Sequence, residues 1–284
     1  MKIRKITDKK YKILLFQGSS RDKDTCPGME SKTQKVLDYV VDKWSPFFEF
    51  DVVDLSINHK KRSIIQPCKG CVSTSSYHCH WFCDCFKPND PKKPDLMHDE
   101  DVYGRLENND GFVVFSPIHW HAPTTQVKAL FDRLVCANMT LTTTDALSVL
   151  GKGNLKNPEI TGKMSLEGEY DDLLKNHLEG KVAAFYIHGD MGADDYSSSE
   201  KPETFNQKDE NKWFGDAKST IMPIVFQCRY SGIEVPDKLV EAFYTNKGEP
   251  YYQSNIEFDE NKDFFDKADQ LMENLLEYLE KKES

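Results

Sequence analysis

The chain has 284 residues, enough for one large or two ordinary domains and for a sizeable core. Its 37 Lys and Arg against 47 Asp and Glu leave a net charge of −10. That excludes nucleic acid or an anionic membrane as the main partner, because both reward clustered positive charge. No run reaches the roughly 18 apolar residues of a membrane helix. The charged Met1–Lys10 segment has no apolar signal core, so a cytoplasmic protein is expected.

Taken in chain order, Lys12–Phe16 is an apolar run that predicts a buried strand entering a turn at Gly18. From Thr33 to Trp44, Val36, Leu37, Val40, Val41 and Trp44 recur at helical spacing and predict an amphipathic helix. Phe50–Leu55 reads as a second strand. Residues 66–94 form a proline-containing, Cys-rich loop, followed by a short helix over Asp99–Asn108. Gly111–Ser116 is a third, strongly apolar strand. Thr124–Ala137 is a helix opened by Pro123, at a position where a missing N–H costs little. Residues 138–179 read as a polar excursion, with one weak helical stretch near Tyr170–His177. Lys181–Ile187 is a fourth strand, Asp209–Ile221 a helix and Pro223–Gln227 a fifth strand. Residues 260–281 carry an apolar stripe through Phe264, Leu271 and Leu275 and predict an amphipathic C-terminal helix.

Continuous apolar strands alternating with helices imply a parallel sheet covered on both faces. The expectation is one α/β domain over 1–284, doubly wound in three layers, with its core over about 11–230. Ligands of such sheets sit outside the carboxyl ends of the strands. The chemistry is therefore expected in the loops beginning at Gly18, Ser116 and His188.

The eight cysteines include five within eighteen residues: Cys68, Cys71, Cys79, Cys83 and Cys85. A disulfide staple is disfavoured in a chain of this size without a signal peptide. A CxxC pair on a Gly turn suits a metal, and four of the five thiolates would suffice for an iron–sulfur cluster. Reduced, partly buried thiols are the third reading, and spacing alone ranks it behind a metal or cluster.

The first loop, from Gly18 to Thr33, joins a Gly turn, hydroxyls, Arg21 and a helix start. Such a set favours an anion, because free backbone N–H groups and the helix dipole attract it. It matches neither a Walker A loop nor GxGxxG. The second, Ser116-Pro-Ile-His-Trp-His-Ala-Pro123, offers a flat wall suited to a planar ring. His119 and His121 as metal ligands rank below turn residues. The third, with Gly189 and Gly192, permits close backbone approach. Its Asp190, Asp194 and Asp195 read as an acidic turn rather than a metal set.

Gly18-Ser-Ser-Arg21, Ser116–Arg133 and Pro67-Cys-Lys-Gly-Cys71 together resemble the flavodoxin-like NADPH-dependent FMN reductase family, in the branch near iron–sulfur flavoproteins. The resemblance spans about residues 11–230. It implies a five-stranded flavodoxin-like parallel sheet in the order 2-1-3-4-5, a noncovalent FMN, NAD(P)H as donor and a homodimer. Ser19, Arg21 and Thr33 would hold the phosphate. Pro117, Ile118, His119 and Trp120 would flank the isoalloxazine, and Gly189 and Asp190 would close its pyrimidine side. Hydride would pass through flavin N5 to a small quinone, azo or nitro acceptor, so no side-chain acid or base is demanded. The iron–sulfur branch carries a more compact cysteine run, so structural thiols are favoured over a cluster, and zinc less. The competing functions are a flavodoxin-like electron carrier and a zinc-stabilised binding module.

Overall fold

Apolar strands and amphipathic helices alternate in the computed structural model, which describes residues 9–21, 28–57, 63–189, 217–244, 255–256, 258 and 261–283. Strand β1 (Tyr11–Gln17) leads to helix α1 (Lys32–Trp44) and strand β2 (Phe48–Asp54). The cysteine segment holds two single turns and the two-residue β3 (His80–Trp81). Next come α2 (Leu96–Asp99) and α3 (Val102–Asn108). One helix was expected there; Asp101, at φ +47°, divides it. Strand β4 (Gly111–His119) turns back into β5 (Ala122–Pro123) and then α4 (Thr125–Arg133).

Residues 138–179 depart most from expectation. They contain β6 (Leu141–Thr142), α5 (Thr143–Leu150) and α6 (Pro158–Glu167). The expected helix near Tyr170–His177 is a single turn at Asp171–Leu173. Thr142 and Asn157 cap the two helices, so their termini rest on local side chains rather than on a long apolar stripe. β6 pairs with β3, which ties the excursion to the cysteine segment.

Strand β7 (Val182–Gly189) is followed, after residues outside the described set, by α7 (Met222–Tyr230), β8 (Val240–Tyr244) and α8 (Lys262–Glu283). The expected strand over Pro223–Gln227 is therefore a helix, and the fifth strand is β8. A short, largely apolar run fits either a buried strand or a helix, and Pro223 sits in the first turn, where its missing N–H is tolerated. The sheet thus runs on to Tyr244, past the expected core end at 230. Of the expected helix over 209–221, residues 209–216 lie outside the described residues, and Ala217–Thr220 is a single turn.

The five main strands are parallel in the order β2-β1-β4-β7-β8. Counted along the chain this is the expected flavodoxin-like 2-1-3-4-5. Ile13 and Leu15 face a core with α1 and α8, while Leu14 and Phe16 face one with α3, α4 and α7. Both faces are buried, which is why the strands read as continuous apolar runs.

Candidate functional site

Three loops meet at the carboxyl edge of the sheet. The Gly18 amide donates to Phe115 O at 2.7 Å, and Thr124 Oγ1 donates to Gly18 O at 2.5 Å. A Cβ on Gly18 would lie 2.5 Å from Val127 Cγ2 and 2.6 Å from Phe115 O, so only glycine lets the β1 loop seat against β4 and α4. Ser19 is buried, and its hydroxyl accepts from the Arg21 amide at 3.2 Å. Its own amide is taken by the Gln17 side chain. Ser31 caps α1, accepting from the Gln34 amide at 3.4 Å.

The second loop is a tight hairpin. Ile118 pairs with Pro123 and His119 with Ala122, leaving Trp120 and His121 as a two-residue turn. Their φ values, +49° and +61°, are both left-handed, as a type I′ turn requires. Neither residue adopts that conformation readily; the cost is about 1–3 kcal/mol each. The turn leaves the Trp120 side chain 98% exposed. Partial desolvation of the His119 ring, then the Arg21 charge, hold the His119 pKa below its usual value, so Arg21 acts on the same edge.

Gly189 ends β7 between the other loops. A Cβ there would meet Tyr244 Cδ1 at 2.6 Å and Ile118 Cδ1 at 3.3 Å. One residue earlier, His188 Nε2 lies 2.8 Å from Thr33 Oγ1. Thr33 is buried, and this contact ties α1 to β7. Ser19, Arg21, Pro117, Ile118, His119, Trp120 and Gly189 thus share one edge. Asp190 lies outside the described residues. Sequence reasoning missed Thr124, His188 and Tyr244. Thr124, at the N-cap before an amphipathic run, was findable; the other two owe their place to strand pairing.

The cysteine segment packs on the α4 face of the sheet. Cys79 and Cys83 are buried, while Cys68, Cys71 and Cys85 are half-buried. Burial pushes the Cys79 thiol well above its usual pKa, and the neighbouring Cys136, Cys83, Cys71 and Cys68 reinforce this. A hydrogen bond with Cys85, then burial, pushes Cys83 the same way. Among the described residues no three His, Cys, Asp or Glu side chains are placed to hold a metal ion. The segment is anchored by Arg133, which pairs with Asp95 at 2.8 and 3.0 Å, donates to Gln66 O at 3.2 Å and lies over the Phe86 ring.

The model of the NADPH-dependent FMN reductase family matches residues 11–152, half of the chain. The chain belongs to this family. It is an NAD(P)H-dependent FMN oxidoreductase, and FMN is its cofactor. The match covers β1 to α5 and so contains two of the three loops at the edge. No curated protein matches the sequence.

Several solved structures are similar to the chain at low identity. RosB, with bound 8-demethyl-8-formylriboflavin-5'-phosphate, is 14% identical, covering 95% of this chain and 81% of its own, with a TM-score of 0.50. The NAD(P)H:quinone oxidoreductase from Methanothermobacter marburgensis is 11% identical, with coverage of 92% and 94% and a TM-score of 0.48. The azoreductase from Bacillus anthracis str. Sterne is 9% identical, with coverage of 92% and 99% and a TM-score of 0.46.

The edge of this FMN reductase fits its cofactor chemically. A phosphate monoester asks for hydroxyl, amide and cationic donors, and the loop after β1 offers Ser19, Ser20 and Arg21. A planar ring asks for an apolar face, and the Trp120 indole stands in solvent at the rim.

Proposed function

We propose that Ser19 and Arg21 hold the FMN phosphate, with Thr33 backing their loop through its contact to His188. Pro117, Ile118, His119 and Trp120 flank the isoalloxazine, partly through backbone N–H, and Gly189 and Asp190 close the pyrimidine side. The observation that carries this reading is the strained β4–β5 turn. It holds a fully exposed tryptophan next to His119, which feels the Arg21 charge, in the loop whose Ile118 reaches Gly189 at the end of β7, at the strand ends where doubly wound sheets bind ligands.

FMN, held there, would supply two-electron hydride chemistry through its N5 between NAD(P)H and a small quinone, azo or nitro acceptor. The chain's own residues bind and orient, and none is asked to move a proton. The cysteine segment serves as a structural wall. The enzyme acts in the cytoplasm and as a homodimer. The dimer is supported by Met222, Phe226 and Tyr230, exposed at intervals of four on one face of α7.

The test is FMN titration of the apoprotein by flavin fluorescence, followed by anaerobic addition of NAD(P)H. Wild-type protein is expected to bind FMN and to bleach near 450 nm. Arg21→Ala should weaken binding about tenfold to a hundredfold, the worth of a charge-assisted contact. Unchanged affinity in Arg21→Ala would remove Arg21 from the site. Bound flavin that NAD(P)H reduces but that no quinone, azo or nitro compound reoxidises would exclude the proposed acceptors.

A further inference from the structure

The flavin edge leaves the cysteines without a reactive task, and two of them differ from the rest. Cys71 and Cys85 place their sulfurs 3.1 Å apart. Both are half-buried, whereas Cys79, Cys83, Cys136 and Cys228 are buried. Cys71 opens a single turn after Gly70, and Cys85 lies in a turn, so neither is fixed inside a helix or sheet ladder. A disulfide needs its sulfurs about 2.05 Å apart. Two turns need to shift by about an ångström between them to reach that. Exposed Lys69 holds its ammonium over the ring of Phe86, the residue after Cys85, at 5.0 Å.

We propose that Cys71 and Cys85 form an oxidisable dithiol, a modification site for low-molecular-weight disulfides such as oxidised glutathione. One cysteine thiolate attacks a sulfur of the small disulfide. It forms a mixed disulfide and releases one small thiol. The second cysteine thiolate attacks the protein-bound sulfur of that mixed disulfide and expels the second small thiol. Two protein thiols are oxidised, one small disulfide is reduced to two thiols, and two protons pass from cysteine to the leaving groups. The pair is assigned over Cys68–Cys71 because Cys68 Sγ is turned to the Gly70 amide at 3.3 Å. Cys83 hydrogen-bonds to Cys85 but is buried against the core and only two residues away.

The new bond would close a ring over residues 71–85. That ring carries Trp81, which stacks on His177, and Tyr77, whose hydroxyl donates to Asp171 at 2.8 Å. Oxidation would therefore fasten the segment that supports the 138–179 excursion.

The test is to treat the full-length protein with oxidised glutathione, block free thiols and map peptides by mass spectrometry. The expected product is a Cys71–Cys85 linkage, with the protein about 2 Da lighter and restored by dithiothreitol. Cys71→Ser should trap a glutathione adduct on Cys85, and Cys68→Ser should leave the linkage intact. A Cys68–Cys71 or Cys83–Cys85 linkage, or a lasting glutathione adduct on Cys71 or Cys85 in the wild type, would overturn the proposal. So would recovery of both thiols unmodified.

Discussion

Trp120 combines two properties that each cost free energy: an indole left in water and a left-handed backbone. Folding alone does not call for either, so both point to what the turn meets in use. Replacing it with glycine separates the two. Trp120→Gly relieves the positive φ and should leave thermal stability unchanged or higher. It also removes the aromatic wall and should weaken FMN binding about 2- to 10-fold. Melting with and without FMN checks both; a variant that melts lower without FMN would show that the indole packs structurally. Gly18 shows the converse constraint. Its φ needs no glycine, but its neighbours leave no room for a Cβ. A sequence displays such a glycine without showing whether conformation or close approach requires it.

Arg133 illustrates how one element secures another. It projects from the end of α4 onto Asp95, and both side chains are fully buried. Arg133→Met should cost about 3–5 kcal/mol, because it strands a buried carboxylate. Adding Asp95→Leu should recover part of that loss, and denaturant unfolding of both variants is the check. Nothing local announced this pair, since its members are 38 residues apart.

The excursion has its own titratable anchor. His177 stacks on Trp81 and donates from Nε2 to Thr140 O at 2.9 Å. Desolvation holds its pKa below the ordinary value, in spite of the Thr140 carbonyl, which acts the other way. The unfolded chain therefore takes up this proton before the folded one does. Stability should be unaffected above about pH 6.5 and should fall as pH drops through that value. His177→Gln keeps the N–H donor and should flatten that part of the profile. Melting temperatures from about pH 8 to 5 would show it, and an unchanged slope would clear His177 of the effect.

At the scale of the whole molecule, the sheet is closed on both faces by its own helices, with α8 covering β1, β4 and β7 through Leu271, Leu275 and Leu279. The C-terminal helix therefore packs within the chain. The apolar ridge of α7 is different, because Phe226 and Tyr230 are about two-thirds exposed. Phe226→Glu should shift the protein from dimer to monomer in sedimentation while FMN binding persists in the monomer. A wild-type monomer would refute the dimer.

Most of the sheet was legible because strands buried on both faces must be apolar throughout, and α1, α4 and α8 because a half-buried helix must repeat its apolar residues. The sequence alone also singled out the loops that meet at the carboxyl edge, where a doubly wound sheet binds its ligands. It misread Pro223–Gln227, where a short, largely apolar run satisfies strand and helix alike, and it underread α5 and α6, whose ends are held by caps. Only the tertiary structure decided that β8 completes the sheet and that Gly189 touches Ile118 and Tyr244. It alone showed the tryptophan turn to be left-handed and paired Cys71 with Cys85 among five clustered thiols. Periodicity records how much of a residue is buried; which distant residue it meets is settled by strand pairing and packing.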